Sequence, residues 1–328
     1  MRASTAGNSR TTYAPATAVA ADVTCLGLFL QCPRCGLELQ DLHCPGCSFH
    51  LRYQDGIVHT LPPERVAHYA RFLEDYERIR AAEGRGSESA EFYLGLPYAD
   101  ASGRNGKQWK IRARSYDYLI ERILQPNLQG GARVLDLGAG NCWMSFRLAA
   151  AGYRPCAVDL LINDRDGLGA AEHYRNHLAE LFPRFQAELA CLPFQNEQFD
   201  AVVFNASFHY AEDDKAALGE ALRCVKPDGI VVISDTPWYS CEENGRQMVS
   251  ERRAAFRESY GTASDSIRSI DYLTDERLRR LETKFSIQWT SHVPRYGFQW
   301  AMRPLMAKLR NKREPSQFRI YVAQKDSV

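Results

Sequence analysis

Between residues 64 and 83 the apolar positions Val66, Tyr69, Ala70, Leu73, Tyr76 and Ile79 recur at spacings of one and three, with Arg and Glu between them. That period predicts a helix with one buried face. A second helical pattern runs from Lys107 to Leu124 and turns Trp109, Tyr116, Leu119, Ile120 and Ile123 inward. The glycine- and serine-rich stretch from Gly84 separates the two as a linker or lid. From Arg133 the pattern changes to short apolar runs at 134–137, 155–159, 184–188, 198–204 and 225–233. Helical stretches fall between them, one opening at Trp143 with Met144, Phe146 and Leu148 and another over 170–182. Strand and helix in alternation predict an α/β fold around a mostly parallel sheet. Two later runs, Phe285–Trp289 and Phe318–Val322, fit a closing antiparallel pair.

Composition narrows the classes. The 328 residues are 45% hydrophobic and 25% charged, which suits one sizeable core plus a small second unit. The formal net charge of +1 gives no global field for nucleic acid or membrane. No apolar run approaches the roughly 18–20 residues that span a bilayer. The stretch 1–22, rich in Ser, Thr and Ala, reads as a disordered tail, and the cytoplasm is the expected compartment.

Four of the ten cysteines are Cys32, Cys35, Cys44 and Cys47, spaced C-x2-C-x8-C-x2-C with Pro and Gly inside the pairs. Each pair makes a knuckle whose thiolates converge, and two knuckles offer a tetrahedron of sulfur that suits zinc. Four thiolates leave no open coordination position, so the expected metal is structural. Two disulfides are the competing arrangement, disfavoured in a reducing compartment.

Gly138-Ala-Gly140 follows the apolar run at 134–137 and precedes a helix, a turn whose backbone N–H groups form a cradle. A dinucleotide fold places a third glycine at the position held here by Trp143. The bulky indole argues against NAD or FAD. Asp159 closes the second run nineteen residues after Gly140, where a carboxylate accepts hydrogen bonds from a ribose diol.

The ordered set Asp136–Cys142, Asp159, Leu192-Pro193-Phe194, Phe199-Asp200 and Lys226–Gly229 resembles the class I S-adenosylmethionine (SAM) dependent methyltransferases. The resemblance implies a Rossmann-like core with a mostly parallel seven-stranded sheet and helices on both faces. It implies SAM held by Asp136, Gly138, Ala139, Gly140, Cys142, Asp159, Leu160, Glu188, Leu189 and Asn205. Glu188 stands where the family keeps an acid for the adenine amino group, and Cys142 replaces the last glycine of the family's loop. The cysteine segment is similar to zinc ribbons that precede some methyltransferase domains. The expected organisation is a tail (1–22), a zinc ribbon (23–62), a helical lead-in or lid (63–128) and a SAM-binding domain (129–328).

Methyl transfer needs positioning first and a base only if the nucleophile carries a proton. Reactive groups are expected at the carboxyl ends of strands, where 205–210 and 235–239 fall. His209 and Tyr210 are the catalytic candidates, with His209 either a base or a wall of the SAM site. From Arg295 to Arg313 there are basic residues and no acid. That segment either holds phosphates of RNA or lipid head groups or is a solvated helix face. The leading expectation is a methyltransferase for a small-molecule or other non-nucleic-acid acceptor. An rRNA or tRNA base methyltransferase and a non-catalytic SAM-binding adaptor are the alternatives.

Overall fold

A computed structural model describes residues 27–325. The tail expected over 1–22 lies outside them. Nine strands form one sheet in the order β1-β2-β5-β4-β3-β6-β7-β9-β8. They are β1 (Arg52–Gln54), β2 (Ile57–His59), β3 (Arg133–Leu137), β4 (Arg154–Asp159), β5 (Arg184–Gln186), β6 (Phe199–Asn205), β7 (Val225–Trp238), β8 (Thr290–His292) and β9 (Gln317–Gln324). Strands β5, β4, β3, β6 and β7 run parallel, and β9 and β8 close the sheet antiparallel. These last seven strands are the expected methyltransferase sheet.

Alternation along the strands sorts side chains to two faces. Leu135, Val202, Phe204 and Ile233 join one core with α5 (Asp214–Cys224) and α7 (Asp275–Phe285). Val134, Val203 and Val232 join another with α3 (Gly106–Tyr118) and α4 (Trp143–Ala150). Helices therefore cover both faces. The expected 64–83 helix is α1 (Pro63–Ala82), with Pro63 in its first turn, where the missing N–H costs nothing. The 107–124 helix is α3 continued by wider π turns over Leu119–Leu124, just before Pro126.

Three expectations change. The helix over 170–182 is instead a run of 3-10 turns over Leu168–His177. The strand over 285–289 is not formed: Phe285 completes the amphipathic α7, Ser286 ends it in a left-handed turn (φ 54°), and Thr290–His292 pairs with β9. Ile287 and Trp289 keep their inward places without the ladder.

The cysteine segment is also not a separate body. Its following hairpin, β1–β2, adds to the main sheet through β2 and β5. Leu28, Leu30, Leu42 and Leu51 pack into the same core as Phe194. The N–H of Gln31 donates to the carbonyl of Pro193 at 2.8 Å.

Candidate active site and four-cysteine centre

The carboxyl ends of the parallel strands open into a cavity of about 290 Å³. Its floor starts at the turn after β3. Gly138 has φ +76°, and a Cβ there would stand 2.2 Å from Cβ of Ser207. Only glycine fits both the conformation and the space. Asp136, beneath the turn, accepts from Ser145 Oγ at 2.7 Å, and burial pushes its carboxyl up to about 7.

Cys142 shows why the family's last glycine position is special. It adopts φ +62°, the left-handed region, immediately before α4. Its side chain is fully buried in the core under α4, and it is not among the cavity-lining residues. The thiol is therefore turned into the core and not toward the cavity. Backbone geometry, not a thiol, is what the position supplies.

At the end of β4, Asp159 Oδ2 accepts from the Gly140 N–H and Oδ1 from the Leu161 N–H, both at 2.8 Å. The carboxylate is thereby locked to the glycine turn across the strand gap, facing the cavity. Burial raises it to about 6 against these two hydrogen bonds. Leu160, Ala187 and Leu189 give the apolar wall beside it.

Glu188 does not join that wall. Its carboxylate is held by Arg65 at 2.5 and 2.9 Å and accepts from the Tyr69 hydroxyl at 2.9 Å. Residues 187 and 189 face the cavity, and the side chain between them points to α1 instead. The adenine contact expected of Glu188 has no free carboxylate to make it. Its visible role is to tie α1 to the sheet.

Asn205 at the end of β6 and His209 and Tyr210 after it line the cavity, with Asp235 and Pro237 from the carboxyl-terminal part of β7. His209 Nδ1 is buried without a hydrogen-bond partner. Burial, with Arg252 and Arg112 adding positive charge, pushes its imidazole down to about 3. A neutral imidazole of that basicity is a poor proton acceptor near pH 7. Asp235 is better placed for the task. Its Oδ1 accepts from Ser115 Oγ at 2.5 Å, its Oδ2 is buried and unpartnered, and burial raises the carboxyl to about 6. It adopts φ +51° where the β7–β9 register shifts.

The residues that α1 and α3 contribute were visible in the sequence only as packing. Phe72, Tyr76 and Arg80 enter from α1, and Gln108, Trp109 and Arg112 from α3. Arg80 is paired with Asp166, with Nη2 3.1 Å from Oδ1. The helical period alone placed Trp109 and Tyr76 inward. It gave no sign that Arg80 and Arg112 share the cavity.

The sulfurs of Cys32, Cys35, Cys44 and Cys47 all lie within 4.8 Å of one another. Cys32 and Cys47 are 3.5 Å apart and Cys35 and Cys44 are 3.3 Å apart, with all four thiols free. Zinc–sulfur bonds of about 2.3 Å in a tetrahedron need sulfurs about 3.8 Å apart, which this donor set meets with small adjustments. The basic segment is partly engaged. Arg303 stacks on Trp300 at 3.8 Å and Arg313 pairs with Glu251 at 2.6 Å. No helix among the described residues is long and apolar enough to cross a membrane.

Residues 135–233 match the family described as a methyltransferase domain. Malonyl-[acyl-carrier protein] O-methyltransferase of Erwinia pyrifoliae is 31% identical over 147 residues, 44% of this chain and 53% of that protein. Demethylmenaquinone methyltransferase of Clavibacter sepedonicus is 34% identical over 107 residues, 32% of this chain and 41% of that protein. The chain thus spans about half or less of the length of these relatives. The solved YcgJ protein of Bacillus subtilis covers 66% of this chain and is itself covered completely, at 14% identity and a TM-score of 0.48. Within this chain, residues 135–233 match a methyltransferase domain, and the acid-tipped β4, its parallel neighbour β6, the glycine turn and most of β3 fall inside that match.

Proposed function

We propose that the protein transfers a methyl group from SAM to a small-molecule acceptor. The observation that carries this reading is the Asp159 carboxylate fixed against the Gly138–Gly140 turn at the mouth of the cavity. SAM, when bound, supplies a methyl on a sulfonium whose departure as a thioether makes the transfer favourable.

The chain's own residues bind and position. Asp159 would accept from the ribose hydroxyls, and Leu160 and Leu189 would give the base an apolar wall. The N–H groups of Gly138 and Ala139 are spent on the Val158 carbonyl and that of Gly140 on Asp159, so the turn would offer the amino-acid end close backbone approach, not free donors. Trp109, Trp143 and Pro237 exclude water on the far side, so that a nucleophile is held in line in a dry pocket. Where the nucleophile carries a proton, Asp235 Oδ2 takes it. The four cysteines hold a structural zinc that braces the loop at Pro193.

The test is a metabolite screen with methyl-labelled SAM, using cell extract with and without RNase. Label in a small-molecule product under both conditions is expected. Label only in RNA, lost with RNase, would move the reading to an RNA methyltransferase. Binding of S-adenosylhomocysteine with no labelled product from any acceptor would move it to an adaptor.

A further inference from the structure

Trp109, Arg112 and Ser115 recur every three residues on α3 and so share one face. That face lies over the end of β7, because Ser115 donates to Asp235. Arg112 lines the cavity there and sits with its Cζ 5.0 Å from the Trp109 ring centroid. It makes no ion pair or hydrogen bond with any described residue. The groups around it are Asp235, His209, Tyr76, Arg80 and Arg85.

The other arginines that line the cavity have acidic partners. Arg80 is paired with Asp166. Arg85, with only 7% of its side chain exposed, pairs with Glu83 at 3.1 Å and donates to Gln108, one turn before Arg112 on α3. Its Nη1 remains buried with no partner. Two guanidinium groups thus bring unspent donors to one end of the cavity. A half-buried arginine that no carboxylate pairs or hydrogen-bonds is costly unless a ligand supplies that partner. Its planar fork matches the two oxygens of a carboxylate or the edge of a phosphate.

The end of the cavity in question is not the SAM end. Asp159 ends β4, and Asp235 lies just past the level at which β6 ends, on β7, three strands away in the sheet order. At about 4.8 Å per strand the two are roughly 14 Å apart. Trp109, Pro237 and Phe318 give this end an apolar lining.

Building on the SAM reading above, we propose that Arg112, assisted by Arg85, binds an oxyanion on the methyl acceptor. The acceptor is then a small acid, a carboxylate or phosphate on an apolar body, oriented so that its reacting atom faces the cofactor and Asp235. A neutral or cationic acceptor would leave the Arg112 guanidinium and Nη1 of Arg85 without a partner.

Calorimetric titration of the full-length protein tests this. S-Adenosylhomocysteine is added first, and the saturated protein is then titrated with acetate, benzoate and inorganic phosphate. At least one of these is expected to bind saturably, with benzoate ahead of acetate because of the apolar lining. Arg112→Met should weaken that binding by about tenfold or more, and Arg112→Lys by less. Neither variant should change S-adenosylhomocysteine affinity, which also reports that the site is folded. If none of the anions binds the saturated protein, the proposal fails while the cofactor reading stands. If S-adenosylhomocysteine does not bind at all, both fail. If Arg112→Met weakens S-adenosylhomocysteine but not 5′-methylthioadenosine, which lacks the amino-acid carboxylate, Arg112 serves the cofactor and the acceptor assignment is overturned.

Discussion

The two walls of the cavity are built in different ways. The cofactor wall is made at the tips of adjacent strands β3 and β4, from segments only nineteen residues apart, and backbone N–H groups set its geometry. The facing wall is assembled from α1, α3, β7 and β9, elements scattered over most of the described chain. Its charges are placed by side-chain packing. One wall depends on local conformation, the other on the tertiary fold, and substitutions should separate them.

The largest effect is expected where the cofactor wall leans on something remote. The loop after Leu189 is braced by the cysteine segment through Pro193 and Phe194. Cys44→Ser, or stripping the proposed zinc with a chelator under reducing conditions, should cost more than about 4 kcal/mol of stability, as loss of a structural metal can. Denaturant unfolding with parallel zinc analysis checks this. Full stability in zinc-free protein would show that the cofactor wall stands alone.

Next comes Asp159→Ala. Loss of hydrogen bonds to a charged group should cost about 2–3 kcal/mol of S-adenosylhomocysteine affinity, roughly a hundredfold. Anion binding at the other wall should persist in any cofactor-saturated sample.

A smaller effect is pH-dependent and has opposite signs for stability and binding. Burial raises Asp159 to about 6, above its unfolded value, so its contribution to stability is complete at low pH and is lost as pH rises through about 6. Hydrogen bonding to a ribose needs the carboxylate, so cofactor affinity should instead rise across the same window, by about tenfold between pH 5 and 7. Asp159→Asn should flatten the affinity profile. His209 works the other way. Its depressed imidazole contributes stability above pH 6.5 that is lost as pH falls toward 3. A His209→Gln variant should therefore lose less stability than the parent on acidification.

The smallest effect is expected at Cys142→Gly. Relief of left-handed strain, about 1 kcal/mol, offsets the loss of a buried thiol of similar worth. Stability should change by less than about 1 kcal/mol and S-adenosylhomocysteine affinity by less than about twofold. A large loss of affinity would mean that the thiol does touch the cofactor.

The same contrast explains what was legible in the sequence. Strands β3, β4 and β6, the glycine turn, the acid at 159 and the cysteine spacing are short-range patterns, and each could be read from neighbouring residues. Cys142 was recognisable as a substituted glycine, but only φ showed that the backbone carried the role. Glu188 was misplaced because sequence alone cannot show that Arg65, far away in the chain, claims its carboxylate. The joining of the 52–59 hairpin to the sheet was invisible for the same reason: its partner, Arg184–Gln186, is remote. Arg112 carried no signal in the sequence, and only the packing of α3 over β7 brings it into the cavity.

The central claim is that this cavity binds SAM through Asp159. Calorimetry with S-adenosylhomocysteine on the intact protein and on Asp159→Ala tests it most directly. One saturable site is expected in the parent, weakened roughly a hundredfold in the variant at unchanged fold. No binding by the parent, or equal binding by the two, would contradict it.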